Sequence, residues 1–274
     1  MPTSPPRLSR AEFKYTLERV EKALVASDRI ILGHLNRVRI GHKPDGSEVT
    51  VADRGAERLL RRRLAAAWPE DPVLGEEYGG ELKLRGRCWL IDPIDGTASY
   101  VLGLPMFGTL VSLLVDGEPV FGCIHLSALG ETTYAATGHG CWLRRGRSPA
   151  RRVHVGRARP LAKAQVGLTS VKESDLARRA GRWQLSAVAR SAGRLRLVGD
   201  CVQYALLCRG ALDGAIDPAM KPWDIGALAV CVREAGGSIS SLTGVTRALV
   251  RQTSVVAASS PALRRAIVAR VNGR

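Results

Sequence analysis

WLIDPIDGTASY, residues 89–100, carries an apolar run into two aspartates set three positions apart. Trp89, Leu90 and Ile91 read as the end of a buried strand. Asp92, Pro93, Asp95 and Gly96 have the composition of a tight reversal. The same carboxylates offer hard oxygen ligands to a divalent cation. On this stretch alone a turn and a metal site are equally good readings, and the flanking chain has to decide between them.

Working outward, residues 11–36 have Phe13, Leu17, Val20, Leu24 and Ile31 near helical spacing. A Gly/Pro/Asp loop leads into a second helix expected from about Thr50 to Trp68, with Asp53 in or just before its first turn. PVLGEEYGG reads as a short strand entering a glycine-rich loop. FGTLVSLLVDGEPVFGCIHL reads as two strands joined at Asp116-Gly117, and TTYAATGHGCWL continues the hairpins. Beyond a polar connection near Ala150, AQVGLTS and RLRLVGD are expected strands flanking a helix at about Glu173 to Ala189. CVQYALLCRG is a helix closed by Gly210, LDGAIDP a strand, and WDIGALAVCVREAGG a helix closed by Gly236-Gly237. VVAASSPALRRAIVARV ends as strand, turn and helix. Alternating helices and strands with a hairpin-rich middle argue for layered sheets and helices of mixed α/β type.

The 274 residues suffice for one large domain or two closely packed halves. No apolar run approaches the roughly 20 residues of a membrane helix. MPTSPPRLSR lacks the apolar core of a secretory signal, so the expectation is a cytoplasmic protein with a short disordered lead-in over residues 1–10. The net charge is +16, and only seven of the 41 basic residues are lysine. The charge is spread along the chain; RLLRRRL reads as a solvated helix face and RRGRSPARR as a loop. Attraction of anionic substrates follows from this better than specific nucleic-acid binding does. The six cysteines have no paired spacing and read as free, mostly buried thiols, and the five histidines match no zinc pattern.

Five acidic positions, Asp53, Glu76 with Glu77, Asp92, Asp95 and Asp224, fall where a strand ends or a helix begins. Asp53 and Asp224 suit helix N-caps, and Glu76 and Glu77 suit a solvated loop. In a layered fold such edges also converge on one crevice. Magnesium takes octahedral oxygen coordination and keeps several waters, so carboxylates around a crevice suit it better than a closed cage. Two such ions polarise a phosphoryl oxygen, activate water and stabilise the leaving alkoxide. Gly96 and Thr97 would add backbone N–H groups and a hydroxyl for phosphate if a helix begins there.

These elements resemble the inositol monophosphatase-like, magnesium-dependent phosphatases. The resemblance rests on KPDGSEVTVAD at 43–53, GEE at 75–77, WLIDPIDGTASY at 89–100 and PWDIGALAVCVREAGG at 222–237, and it spans nearly the whole chain after residue 10. It implies a layered αβαβα sandwich of the inositol monophosphatase and sugar phosphatase type. Residues 11–149 would form an N-terminal half with the metal-binding motifs. Residues 150–274 would carry the substrate-specificity elements and the last ligand. Glu76, Asp92 and the Ile94 carbonyl would hold a first metal, and Asp92, Asp95 and Asp224 a second. Asp53 and Thr97 would orient the attacking water, with a third ion near Glu76, while Gly96 and Thr97 contact phosphate and Glu77 stands behind the ligands. The reaction would be in-line attack of water on phosphorus without a covalent enzyme intermediate, and the family implies a homodimer.

Gly199 to Asp224 looks most like the histidinol-phosphate phosphatase branch, which makes histidinol phosphate hydrolysis the first expectation. Asp200 and Asp217 would then meet an amine-bearing substrate; helix capping by Asp200 and a turn at Asp217 explain them equally well. Val202 departs from the branch's usual aromatic choice, and Arg144 to Arg159 forms an unusual arginine-rich lid. Phosphatases of inositol 1-phosphate or other sugar, cyclitol or nucleoside phosphates stay open. So do two non-enzymatic readings, a phosphate-binding regulator and a basic nucleic-acid-binding module.

Overall fold

The computed structural model describes residues 6–37, 40–42, 48–169 and 183–274. Helix α1, Arg10–His34, starts with Ser9 as N-cap in a reciprocal capping box with Glu12, and buries Thr16, Val20, Ala23, Leu24, Ser27 and Ile31 on one face. A two-stranded antiparallel ribbon, β1 (Ile40–His42) and β2 (Glu48–Thr50), leads into α2, Val51–Ala67. Here Thr50 is the N-cap and Asp53 closes the capping box from the third helical position. The buried face of α2 holds Ala52, Ala56, Leu60 and Leu64, and also two carboxylates, Asp53 and Glu57.

A seven-stranded sheet follows: β3 (Val73–Gly75), β4 (Arg87–Asp95), β5 (Gly108–Val115), β6 (Glu118–Leu126), β7 (Glu131–Ala136), β8 (Gly140–Arg145) and β9 (Arg151–Val153), paired in that order. Only β3 and β4 run parallel; the rest is an antiparallel meander. Helix α3, Thr97–Val101, sits directly after β4. The second sheet contains β10 (Gln165–Leu168), β11 (Arg194–Leu197), β12 (Gly214–Asp217), β13 (Ser238–Ser240) and β14 (Val255–Ala258) in the order β11-β10-β12-β14-β13. Its helices are α4 (Leu185–Ser191), α5 (Asp200–Cys208), α6 (Pro222–Glu234) and α7 (Pro261–Val271).

The side-chain contacts stack these elements as α1–α2, seven strands, α5–α6, five strands, α4–α7. Trp89, Ile91, Phe121 and Tyr134 pack under Val20, Leu24, Leu60 and Leu64. On the other face Leu110, Ile124 and Leu126 meet α5 and α6, which also touch Ala215, Val255 and Ala257 of the second sheet. Strand alternation then turns Ile216, Val256 and Ala258 outward against Leu185, Leu263 and Ile267. Every residue of α6 from Ile225 to Val232 is buried, as expected for a helix clamped between two sheets. This is the αβαβα sandwich.

Three expectations need correcting, and a fourth falls largely outside the described residues. Leu8 is buried against α1 and Ser9 caps that helix, so the described part of the lead-in is packed and not disordered; residues 1–5 lie outside the described residues. Arg144 to Arg159 is not a lid, and RRGRSPARR is not simply a loop. They contain the β8–β9 hairpin at the sheet edge, with Arg144 paired to Glu21 of α1 at 2.5 Å. The proposed half-chain boundary at 149/150 falls inside this hairpin, and the first sheet ends at Val153. The helix expected from Glu173 lies outside the described residues up to 182; the described helix there is Leu185–Ser191. All six cysteines are free and buried.

Candidate active site

The opening question about Asp92 and Asp95 has a geometric answer. Along β4, Cys88 and Leu90 face the α6 side of the sheet, while Trp89 and Ile91 face α1 and α2. In an unbroken strand Asp92 and Asp95 would point to opposite faces, because their separation is odd. Instead Asp92 pairs with Leu110 and Asp95 with Gly108, so three steps on β4 match two on β5. The extra residue is a β-bulge. It turns Ile94 toward α1 and α2, where it packs with Ile31, Ala52 and Ala56, and leaves both aspartates on the α5–α6 side. So the stretch is neither a chain reversal nor a regular strand. The Asp92 carboxylate accepts the Ile94 N–H at 3.0 Å, and the Thr109 hydroxyl donates to the Pro93 carbonyl at 2.8 Å, which pins the bulge.

Gly96, in the left-handed region at φ 93°, then makes the turn into α3. A Cβ there would meet Asp200 Oδ2 at 2.8 Å and the Met106 carbonyl at 2.9 Å, so the position tolerates only glycine. The Thr97 hydroxyl donates to the Ile94 carbonyl at 3.0 Å and reaches Asp53 Oδ1 at 3.5 Å. Asp224 comes from the first turn of α6, where its Oδ2 accepts the Lys221 N–H at 2.7 Å. One oxygen from each of Asp92, Asp95 and Asp224 lies within 4.8 Å of the others. Glu76, just past β3, reaches the Asp92 carboxyl, and so does Asp224. Asp95 Oδ2 accepts the Cys201 N–H at the start of α5, at 2.5 Å.

Around this trio the structure brings the other expected residues. Asp53 is 1% exposed and accepts both the Thr50 N–H and the Thr50 hydroxyl. Asp53 and Asp224 are therefore not N-caps themselves; each closes a helix start from its third position. Asp200 is not a cap either. It has φ 54° and shares hydrogen bonds with the Thr169 hydroxyl, while Gly199 occupies the cap position. Asp217 is buried at the end of β12, where its carboxylate accepts the Ala219 N–H at 3.1 Å in a turn. Glu77 lies in the loop after β3, where its N–H donates to Glu57 at 2.7 Å.

The electrostatics are one-sided. Burial pushes the Asp92 carboxyl well above the usual carboxylate range, and Glu76 and Asp95 push it the same way. Burial does the same to Asp95, reinforced by Asp200 and Asp224. Burial lifts Asp224 to about 7 against the opposing Lys221 N–H. Asp217, Asp200 and Asp53 are raised by burial too, the last two against hydrogen bonds from Thr169 and Thr50. Among the described residues no lysine or arginine pairs with any of these six aspartates. Clustered buried and half-buried carboxylates without a protein cation, all oxygen donors, fit a hard divalent metal.

A match to the model of the inositol monophosphatase family covers residues 14–273. The chain belongs to that family. It is 39% identical to a histidinol-phosphatase of Mycobacterium tuberculosis over 217 residues, 79% of this chain and 82% of that protein. It is 32% identical to a histidinol-phosphatase of Chlorobaculum parvum over 264 residues, 96% and 97% of the two chains. Its fold is similar to that of a solved Thermotoga maritima IMPase, with a TM-score of 0.81 and 26% identity over 94% of this chain and 96% of that one. The protein is a phosphoric monoester hydrolase for small phosphate esters. No helix among the described residues is long and apolar enough to cross a membrane.

Sequence reading missed the support behind the site. Glu57 and Arg61 hold the loop after β3 from below, and Thr109 and Thr169 fix the bulge and Asp200. The signal for the first pair was present: Asp53, Glu57 and Arg61 recur every four residues, so charge falls on the apolar face of α2.

Proposed function

We propose that the protein hydrolyses histidinol phosphate to histidinol and phosphate, with magnesium held by Glu76, Asp92, the Ile94 carbonyl, Asp95 and Asp224. The observation that carries this reading is the convergence of Asp92, Asp95 and Asp224 beside two further carboxylates, Asp200 and Asp217, that stand outside the trio. The trio suits two or three cations and the phosphoryl group. The extra negative charge suits the amine of an amino-alcohol ester. Similarity to two histidinol-phosphatases supports the same substrate.

When bound, the metal supplies a Lewis acid for the phosphoryl oxygens and lowers the pKa of water. The protein's own groups do the positioning. Asp53, its carboxylate held by Thr50 and within reach of the Thr97 hydroxyl, orients the attacking water and accepts its proton. The Gly96 and Thr97 N–H groups and the Thr97 hydroxyl face the phosphate. Asp200 and Asp217 orient the leaving alcohol through its ammonium or imidazolium charge. Glu77 steadies the Glu76 loop.

Phosphate release from histidinol phosphate with MgCl2, against EDTA and beside inositol 1-phosphate and fructose 1,6-bisphosphate, tests the reading. Histidinol phosphate should have the highest kcat/KM by at least tenfold, and EDTA should abolish release. Equal turnover of inositol 1-phosphate would favour the second reading, an inositol or sugar phosphate phosphatase, which the similarity to the Thermotoga IMPase supports. We also infer a cytoplasmic homodimer. Leu102, Leu104 and Leu197 are exposed on segments that approach each other at Ser99 and Gly199; light scattering on the purified protein reads the state directly.

A further inference from the structure

Glu57 is fully buried in α2, yet it is a carboxylate, and its environment accounts for it completely. Its Oε1 accepts from Arg61 Nε at 2.7 Å and from the Tyr78 N–H at 3.2 Å; its Oε2 accepts from the Glu77 N–H at 2.7 Å. The Arg61 guanidinium goes on to donate to the Val73 carbonyl at 3.0 Å and to the Gly79 carbonyl. Two side chains of one helix thus bond four backbone groups of the segment 73–79, and Arg58 of the same helix adds a bond to the Tyr78 hydroxyl at 2.7 Å. A Cβ at Gly75 would collide with the Glu57 carboxylate, so the segment lies directly on it. From the other side, the Glu76 N–H donates to the Ile91 carbonyl at 3.2 Å, next to Asp92.

Bonds to backbone groups fix where a loop sits whatever its side chains are, and the residue at the centre of this clamp is Glu76. One turn before Glu57, on the same face of α2, stands Asp53. The helix therefore sets two distances in the site at once: the depth of Asp53 beside Thr97 and the reach of Glu76 toward Asp92.

We propose that Glu57 and Arg61 are positioning residues for divalent-cation binding, acting by holding Glu76 against Asp92. This rests on Glu76 being a metal ligand. A burial role alone predicts only lower stability when the pair is broken. A positioning role predicts in addition a weaker grip on the ion, with turnover at saturating metal largely retained.

The test is the melting temperature of the full chain across a MgCl2 titration, fitted for the Mg2+ dissociation constant, together with the Mg2+ concentration for half-maximal phosphate release. Glu57→Gln and Arg61→Met should each raise the dissociation constant on the order of 10–100-fold, the usual effect of removing a group behind a metal ligand. The saturated kcat should fall less than threefold. Glu131→Gln, which breaks the partly buried ion pairs of Glu131 with Arg145 of β8 and Arg209 at the end of α5, should lower the EDTA melting point without moving the Mg2+ constant. Should Glu57→Gln fail to fold, Arg61→Met carries the measurement. Unchanged Mg2+ constants in the folded variants, alongside a weakened Glu76→Gln, overturn the positioning role alone. An unchanged constant in Glu76→Gln overturns the ligand assignment and this inference with it.

Discussion

Two groups of buried or partly buried carboxylates in the same molecule are treated in opposite ways. Glu57 is met by Arg61, and Glu131 by Arg145 and Arg209. Asp92, Asp95 and Asp224 sit together with none of the chain's 41 basic residues paired to them among the described residues. In a protein carrying +16, leaving these carboxylates without an arginine is not a shortage of supply. Each paired carboxylate is complete within the fold. Each unpaired one has its pKa pushed upward by burial and by its acidic neighbours and meets no protein cation among the described residues. On the proposed function, the contrast separates residues that stabilise the chain from residues that bind on its behalf.

The largest test of this contrast is Asp95→Asn or Asp224→Asn. Turnover should drop by on the order of 10³-fold or more, while the melting temperature in EDTA stays level or rises, because one repelling carboxylate is gone. A variant that keeps activity breaks the assignment. Asp200→Asn should cost less and selectively: kcat/KM for histidinol phosphate should fall about 10–100-fold, with inositol 1-phosphate hydrolysis changed less than threefold. A uniform loss on both esters would show that Asp200 supports the site and does not read the substrate.

Glu131→Gln belongs to the other group. It should lower stability by about 1–3 kcal/mol, since it strands two partly exposed guanidiniums, and urea unfolding should show it at unchanged specific activity. The smallest effect is a pH trend. The site carboxyls have folded-state pKa values raised above the unfolded ones, so the folded state binds more protons between them. Their contribution is favourable at low pH and is lost as pH rises from about 4, the ordinary carboxyl value, through about 7, where Asp224 titrates. Across that window the melting point in EDTA should decline by a few degrees relative to the protein in saturating MgCl2. Magnesium should bind more tightly at pH 8 than at pH 5.5, because binding displaces those protons. Parallel curves with and without metal would remove the acidic trio as the binding site.

Much of this was legible in the chain. Two apolar runs joined at the Asp116-Gly117 turn give the first hairpin of the meander, and the unbroken apolar run Ile225 to Val232 marks a helix enclosed on all sides. Of the acidic residues at element ends, Asp92, Asp95 and Asp224 come together in one cluster. What could not be read was parity. Nothing local announces that β4 takes an extra residue between Asp92 and Asp95, since a bulge depends on the register of the partner strand. The short strands β9 and β13, three residues each, are too brief to have a period and are set by the neighbours they pair with. The Glu57–Arg61 clamp was hidden by the reading of RLLRRRL as a solvated helix face, because its acceptors and donors are backbone groups of another segment.

The hydrogen bond from the Cys201 amide to Asp95 joins positions more than a hundred residues apart. Closing it requires the second sheet and its helices to be in place against the first. A ribosome-bound chain released only through β9 could complete its meander and still offer a cation no more than Glu76, Asp92 and Asp95, loosely arranged. The acidic cluster therefore depends on long-range closure between the two sheets, the kind of contact that slows folding.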